Sequence, residues 1–286
     1  MTGAAVTLAA GSLRAAFIPE LAMVGCSLTH GGVEVLGLRG GPEAYRERAS
    51  TFGIPLLHPW ANRLVRPLPA SDLTPHDEHG LPIHGVLPRV LPFQVTESSK
   101  RSARAEFDTH DHPAVLEVFP HPHTLSVVAT LDEEGLEIRT TLRAHGRPCP
   151  VSFGYHPYLC LQGVPRAEWA IDVPARTRIV LDERGIPTGD REPVTVAPGP
   201  LGVRTFDDGY TDLGPAPRFT VAGGGRSLGV EFLEGYHYAQ VYAPAGHDLI
   251  AYEPMTAPTN ALASGDDLQV VRPGESYTAA FRIVVT

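Results

Sequence analysis

Apolar and polar residues alternate along much of the chain, a period of two that is typical of strands with one buried face. The stretch from His123 to Ala144 predicts two such strands joined around Asp132 to Gly135, a strong hairpin signal. AAVTLAAGSLRAAFIPE near the N-terminus predicts two strands with a Gly-Ser turn, and the C-terminal SYTAAFRIVVT predicts another. Helical periodicity is confined to PEAYRERAS after Gly41. The pattern therefore predicts an all-β protein of about twenty short strands in packed antiparallel sheets.

Length and composition are consistent with this class. The chain has 286 residues, of which 29 are glycine and 28 are proline, and this content of turn-forming residues favours many short strands. Because β-sandwiches of this size often form one unit, we expect a single domain over residues 1–286. The Pro- and Gly-rich segment from Val196 to Phe219 is expected to form long loops over one end of a sheet.

Charge and cysteine content limit the classes of partner. A net charge of −9 argues against a nucleic-acid partner, because binding to phosphates needs a basic face. Cys26, Cys149 and Cys160 are odd in number and lack CxxC spacing, which favours reduced thiols over a disulfide framework. The sequence shows neither the basic n-region of a signal peptide nor an apolar run of membrane-spanning length. We expect a cytoplasmic protein without a membrane partner, as a monomer or a homodimer.

Several short stretches place polar side chains at the ends of apolar runs. GIPLLHPWANRL ends in Asn62 and Arg63, whose amide and guanidinium groups suit sugar hydroxyls. A strand that leaves the core into a solvated turn is an equally good interpretation of that stretch. LPIHGVLPRV places His84 before Gly85, where a lone histidine is more often structural or exposed than catalytic.

Three further stretches could carry acid–base chemistry. His156, within SFGYHPYLCL, could be a core residue, a metal ligand or an acid. Glu253 ends the apolar run LIAY directly before a proline, and burial there would raise its pKa, as suits a general base near neutral pH. A carboxylate that simply emerges into solvent is the alternative. Asp207 and Asp208 lie in FDDGY, which is usually just a turn.

The sequence predicts neither a metal nor a cofactor. THDH pairs His110 with His112 and HPHT pairs His121 with His123 at strand spacing, but no carboxylate or cysteine completes a zinc pattern with them. Phosphate-binding loops and the nucleophile-elbow motif are absent.

Taken in order, these stretches resemble the aldose 1-epimerase (galactose mutarotase) family. The motifs span essentially the whole chain: PLLHPWANRL, IHG, GYHPYL, LDERGIPTG, FDDGY, YEPMTAPTNAL and VRPGESY. The resemblance implies the family's large antiparallel β-sandwich and an isomerase that interconverts the α and β anomers of a sugar without a cofactor. His58 stands where the family usually has an aromatic residue, and FGYHPY resembles the catalytic-histidine motif of a broader branch of the family. The resemblance therefore specifies the reaction better than the sugar.

The resemblance also implies roles for individual residues. Glu253 would be the general base and His156 the general acid, and Tyr158 would line the same pocket. Four residues would hold the sugar hydroxyls: Asn62, Arg63, His84 and Asp207.

Two details of these roles are specific enough to be checked. Asp207 is preferred to Asp208 because the family carries an aromatic residue three positions after its aspartate, and Tyr210 fits that offset. We expect His156 to be protonated and to lie opposite Glu253, whose charge would raise the histidine pKa while burial lowers it.

Three alternatives stay open on the sequence. A glycoside hydrolase would use Asp207 and Glu253 as its two carboxylates. A hexose-6-phosphate epimerase would need a basic pair at the pocket mouth, for which Arg66 and Arg89 are candidates. A sugar-binding protein of the same fold would have lost catalysis.

Overall fold

The computed structural model describes residues 5–66 and 72–286, which form 23 strands, three α-helices and three short 3₁₀ turns. The first strands in chain order are β1 (Val6–Ala10), β2 (Leu13–Ile18), β3 (Val24–His30), β4 (Val33–Glu34), β5 (Leu56–Leu57), β6 (Gln94–Ser98), β7 (Ser102–Asp108), β8 (His123–Leu131), β9 (Gly135–Ala144), β10 (Cys149–Val151), β11 (Gly154–Tyr155) and β12 (Tyr158–Leu159). The others are β13 (Ala170–Asp172), β14 (Thr177–Leu181), β15 (Pro187–Pro193), β16 (Gly199–Pro200), β17 (Phe206–Thr211), β18 (Arg218–Gly223), β19 (Arg226–Glu234), β20 (Tyr238–Ala243), β21 (Ile250–Met255), β22 (Gln269–Val271) and β23 (Ser276–Val285). The helices are α1 (Gly41–Arg48), α2 (Pro113–Val118) and α3 (Ala261–Ser264), and the 3₁₀ turns span Pro88–Val90, Thr109–Asp111 and Arg166–Glu168.

Two large antiparallel sheets dominate the fold and confirm the predicted all-β class. One has nine strands in the order β16-β13-β18-β19-β23-β9-β8-β7-β6. The other has the order β15-β14-β17-β20-β21-β11-β5, with β12 as an eighth strand paired to β21. Strands β1 to β4 form a four-stranded sheet, and β10 pairs with β22.

Aromatic side chains fill the space between the two large sheets. Tyr252 of β21 packs on Phe219 of β18 with ring centroids 5.4 Å apart, and Tyr155 of β11 packs on Phe281 of β23 at 5.0 Å. The Tyr155 hydroxyl also shares a 2.7 Å hydrogen bond with Thr140 Oγ1 of β9. The sheets therefore form a sandwich whose interior is largely apolar.

The predicted hairpin and short helix are confirmed. Buried and partly exposed residues alternate along β8, and the β8–β9 turn is closed by Asp132, whose Oδ1 accepts hydrogen bonds from the amides of Glu134 and Gly135. Helix α1 occupies the polar segment after Gly41. The shorter α2 and α3, of six and four residues, were not predicted because neither is long enough to show a helical period.

The prediction of long loops from Val196 to Phe219 was wrong in its central part. Phe206–Thr211 is an interior strand, β17, between β14 and β20. Neighbouring strands pair with its two carboxylates, since Gln240 donates a hydrogen bond to Asp207 and Arg178 lies 3.5 Å from Asp208. An Asp-Asp-Gly sequence is thus stable in a strand when the adjacent strands supply such partners.

The register of β17, β20 and β21 sets which side chains share a face. Asp207 lies opposite Tyr242, and Gln240 lies opposite Glu253. Because opposed residues and alternate residues of a strand point the same way, these four side chains share one face of the sheet. Tyr252 points to the other face, toward the nine-stranded sheet. Among the described residues, no helix is long and apolar enough to span a bilayer.

Candidate active site

The centre of the candidate site is a direct contact between His156 and Glu253. His156 lies in the short connection between β11 and β12, and its Nε2 is 3.1 Å from Oε1 of Glu253. Their side chains are only 5% and 2% exposed. Glu253 was expected at a strand end, half out of the core, but it lies within β21 and is fully buried. The two groups contact each other directly rather than facing each other across a gap.

Burial controls the protonation of this pair. It lowers the pKa of His156 well below the usual value, and the neighbouring His84 and Arg39 act in the same direction. Burial likewise raises the pKa of Glu253 well above its usual value, with Asp207 adding to the rise and Arg63 opposing it. The expectation that His156 is protonated was therefore wrong, because desolvation outweighs the attraction of the carboxylate. The pair titrates as a unit, and burial favours one shared proton in an uncharged arrangement.

Two atoms of the pair have unused hydrogen-bonding capacity. Nδ1 of His156 and Oε2 of Glu253 are buried, and neither has a hydrogen-bond partner in the part of the chain that the structure describes. Buried polar atoms without partners are few in native proteins and require an explanation. A ligand that supplies hydroxyl groups would satisfy Oε2.

The pair opens into a polar cleft of about 230 Å³. All seven residues that the sequence predicted for the site line this cleft. Among the described residues, the lining consists of Arg39, Thr51, Asn62, Arg63, Glu78, Ile83, His84, His156, Tyr158, Asp207, Tyr242 and Glu253. Neither Arg66 nor Arg89 belongs to this lining as far as the structure describes it, so the basic pair expected for a sugar phosphate is not at the cleft.

Carboxylates hold Arg63 at one wall of the cleft. Its Nε donates to Oδ2 of the buried Asp77 at 2.7 Å, and its two terminal nitrogens lie 3.8 Å from Asp207 and 3.5 Å from Glu78. Gly185 of the LDERGIPTG motif closes over the guanidinium. A Cβ atom there would lie 2.6 Å from Nη1, and the residue has a φ of +74°, so glycine is required. Arg63 is buried because Asp77 pairs with it, and it does not extend into a solvated turn.

Asn62 and His84 form a second, uncharged wall. Both have left-handed backbone conformations, with φ of 59° and 60°, and they exchange hydrogen bonds: the Asn62 amide donates to His84 Nδ1 and the His84 amide donates to the Asn62 carbonyl. Because Nδ1 accepts, the neutral ring carries its proton on Nε2. Burial, aided by the charge of Arg63, lowers the pKa of His84 to about 3. His84 is therefore a neutral hydrogen-bond donor.

The geometry separates the two adjacent aspartates. Oδ1 of Asp207 accepts a 2.7 Å hydrogen bond from Gln240, and Oδ2 faces Arg63 in the cleft. Asp208, on the opposite face of β17, pairs with Arg178 at 3.5 Å. Asp207 is thus the aspartate at the cleft.

The sequence analysis missed the apolar Ile83 and six polar residues of the site or its support: Arg39, Thr51, Asp77, Glu78, Gln240 and Tyr242. Gln240 and Tyr242 interrupt the apolar strand YAQVYA two positions apart, and that spacing was a usable signal of a polar face. Arg39, Thr51, Asp77 and Glu78 lie outside the strands and carry no local signal.

A family of known proteins matches most of this chain. The profile of the aldose 1-epimerase family matches residues 22–284. The chain belongs to the aldose 1-epimerase family. A search of curated protein sequences gave no match.

Solved structures with the same fold cover almost the whole chain. A galactose mutarotase-like protein from Clostridium acetobutylicum is 18% identical with a TM-score of 0.84, over 98% of this chain and 94% of that one. A GalM/aldose epimerase homologue from C. elegans is 17% identical with a TM-score of 0.80, over 99% and 98% of the two chains. A galactose mutarotase-like protein from Lactobacillus casei is 18% identical with a TM-score of 0.77, over 99% and 100%. At these identities the likeness shows the shared fold.

In this member of the aldose 1-epimerase family, one pair of buried histidines lies outside the cleft. His58 and His123 are 2.8 Å apart between their Nε2 atoms, and Phe119 packs edge-on against both rings. Nδ1 of His123 donates to the His121 carbonyl at 2.6 Å, so its Nε2 must accept a proton donated by His58. Burial lowers the pKa of His58 well below its usual value and that of His123 to about 4. Both rings are therefore neutral core residues.

The remaining histidine motifs do not form a metal centre. In residues 5–66 and 72–286, no three side chains from His, Cys, Asp and Glu come together in a group that could hold a metal ion. His110 instead pairs with Asp108 at 2.8 Å, and His145 shares a hydrogen bond with Thr124.

Proposed function

We propose that the protein is an aldose 1-epimerase that interconverts the α and β anomers of a free sugar, with Glu253 as general base and His156 as general acid. The observation that carries this proposal is the 3.1 Å contact between a buried carboxyl and a buried imidazole at the base of a polar cleft. A binding site for sugars needs neither group. Ring opening needs both, since one proton must leave and another must arrive.

The chemistry balances within the pair. Glu253 takes the proton of the C1 hydroxyl, the C1–ring oxygen bond breaks as the C1 carbonyl forms, and Nε2 of His156 gives its proton to the ring oxygen. After rotation about the C1–C2 bond, the reverse transfers close the ring on the other face. Each positioned acid or base contributes about 10²–10⁴ in rate.

Substrate binding would set the protonation state for this step. Burial alone favours the proton on Glu253, with His156 neutral. A sugar hydroxyl that donates to the unpartnered Oε2 favours the ionised carboxylate. The charge of Arg63 acts in the same direction. The proton then moves across the existing contact to His156, which becomes the acid.

The other lining residues would orient the sugar. Neutral His84 can donate from Nε2, while the side-chain amide of Asn62 retains its NH₂ because its oxygen already accepts from the Arg63 amide. The terminal nitrogens of Arg63 and Oδ2 of Asp207 offer a donor and an acceptor to adjacent hydroxyls. Mixed donors and acceptors of this kind suit the hydroxyls of an uncharged aldose.

Polarimetric mutarotation of freshly dissolved glucose, galactose, xylose, arabinose and glucose 6-phosphate tests the proposal. We expect the protein to accelerate the change in rotation for at least one sugar and Glu253→Gln to abolish it. Glu231→Gln, at a surface ion pair with Arg218, is the matched control and should retain full activity.

Two results would contradict the proposal. Folded protein that binds a sugar by calorimetry without accelerating mutarotation would be a binding protein. Full activity of Glu253→Gln would remove Glu253 as the base. Acceleration with glucose 6-phosphate alone would keep the reaction and change the substrate.

A further inference from the structure

Tyr158 is held by its backbone at a junction of three segments. The Tyr158 amide donates to the Gly53 carbonyl at 2.9 Å, the Gly53 amide to the Gly37 carbonyl at 3.0 Å, and the Gly37 amide to the Tyr158 carbonyl at 3.0 Å. This closed ring of backbone hydrogen bonds ties Tyr158 to two loop segments that are distant from it in sequence.

The same two segments reach the end of the Tyr158 side chain. Arg39, two residues after Gly37, donates from Nη1 to the Tyr158 hydroxyl at 2.8 Å. Thr51, two residues before Gly53, shares a 2.6 Å hydrogen bond with that hydroxyl. Because the hydroxyl oxygen accepts from Arg39, its own proton is free for Thr51. The phenol is therefore fixed at both ends, with its hydroxyl already bonded to two side chains.

The fixed ring supports the imidazole of His156. The two rings are stacked with centroids 4.1 Å apart and an interplanar angle of 20°. His84 and Tyr242 contact the same imidazole edge-on at 5.7 and 5.6 Å. The Tyr158 face is thus the flat surface that sets the plane of the imidazole, and with it the direction of Nε2.

Arg39 differs from Arg63 in its charge environment. Arg63 has three carboxylates within 4.0 Å, whereas Arg39 has no ion pair with a carboxylate among the described residues. Its guanidinium lies 5.2 Å from the Tyr158 ring centroid, and its charge acts on His156. Arg39 is exposed, so its charge faces solvent and the cleft instead of a carboxylate.

We propose that Arg39 and Thr51 are positioning residues for the general acid, acting on His156 through the Tyr158 hydroxyl. This inference rests on the function proposed above for His156. It also gives Tyr158, which lines the cleft as expected, a second role as the support of the acid. Arg39 orients the ring and in addition keeps a positive charge near the imidazole, which makes its protonated form a stronger acid.

Kinetics of four variants test the proposal with a readout that a purely structural role would not change. Tyr158→Phe, Arg39→Met and Thr51→Val should each lower kcat about tenfold with KM within about twofold, because a misdirected acid slows the chemical step and not binding. Arg39→Lys keeps a donor and a charge and should recover most of the lost kcat. Tyr277→Phe, which removes a hydroxyl bonded to the Gly235 carbonyl away from the cleft, is the control and should be unchanged.

The pH profile separates the two effects of Arg39. The ionisable groups that face His156 are Glu253, His84, Tyr158, Tyr242 and Arg39. Loss of the Arg39 charge removes one cause of the low pKa of His156, so both limbs of the profile should move to higher pH in Arg39→Met. Tyr158→Phe keeps that charge, and its limbs should stay in place.

An NMR measurement decides the proposal independently of activity. The Cε1 proton of His156 should be shifted upfield by the stacked Tyr158 ring, and this shift should decrease in Arg39→Met and Thr51→Val. An unchanged shift in folded variants would overturn the proposal, and so would a raised KM with unchanged kcat in Tyr158→Phe. A wild-type protein without mutarotase activity would instead refute the function proposed for the site, while the NMR result would still decide whether Arg39 and Thr51 position the ring.

Discussion

Two buried pairs that contain histidine differ in what surrounds them. The first pair consists of two bases, His58 and His123. His123 also donates a hydrogen bond to a backbone carbonyl, and Phe119 packs against both rings. The second pair consists of a base, His156, and an acid, Glu253, and lies at the edge of a cleft of about 230 Å³. Burial lowers the histidine pKa in both pairs. A perturbed pKa alone therefore does not identify a catalytic site in this protein.

The two pairs differ in the partner of the histidine and in whether a ligand can reach the pair. An acid next to a base can pass one proton in either direction without creating net charge, whereas two imidazoles share a proton only by burying a cation. The cleft lets a ligand reach the carboxyl–imidazole pair. The His58–His123 pair has the character of a core contact with its polar atoms largely satisfied.

The largest expected effect is a loss of activity, and it is expected only at the His156–Glu253 pair. His156→Asn should lower kcat about 10²–10⁴-fold, the contribution of one positioned acid, while the fold is retained. Mutarotation measured by polarimetry, with circular dichroism to check the fold, provides the test. Folded His156→Asn protein with full activity would refute the assignment of the acid.

A smaller effect should appear in stability at the other pair. His123→Leu leaves the Nε2 proton of His58 and the His121 carbonyl without partners, and we expect a loss of about 1–3 kcal/mol in the free energy of unfolding. His58→Phe combined with His123→Leu removes the stranded donor and should recover part of the loss. Urea unfolding measures both, and mutarotation should persist in each variant. If the double variant were less stable than the sum of the single changes, the pair would not be the simple hydrogen bond described here.

A third expected effect is a change of stability with pH. The pKa of His123 falls from 6.5 to about 4 on folding, so between these values the unfolded chain binds a proton that the native protein does not. Stability should fall as pH decreases through this window, with about 1.4 kcal/mol per pH unit for each such histidine. The slope of unfolding free energy against pH should be shallower in the His58→Phe/His123→Leu variant than in the wild type. Equal slopes would show that His123 titrates normally.

Local patterns predicted the sheets well, since strand alternation depends only on nearest neighbours and one buried face. The β8–β9 hairpin and the C-terminal β23 lie where the alternation predicted them. The short helix after Gly41 is also present. The prediction failed at β17, where Asp207 and Asp208 are stable in a strand only because of partners on other strands. The single domain over residues 1–286 stays a prediction.

The sequence motifs predicted which residues form the candidate site, but they did not predict how burial shifts the pKa values there. The seven residues named from the sequence line one cleft. The protonation of His156 was predicted wrongly because desolvation depends on three-dimensional packing, which no motif encodes. Arg39 and Thr51 were missed for a related reason, since their link to Tyr158 spans more than one hundred residues.

The cross-strand pairing of Gln240 with Glu253 has a consequence for assays of the protein. A slip of β21 by one residue would turn Glu253 into the apolar interior and expose Tyr252, because side chains alternate between faces. Such a molecule would lack its base and would also bury a charge in the core. Under the proposed function, every active molecule is then one whose β20–β21 register is native. Turnover per mole of chain in a refolding experiment would therefore count the correctly folded fraction.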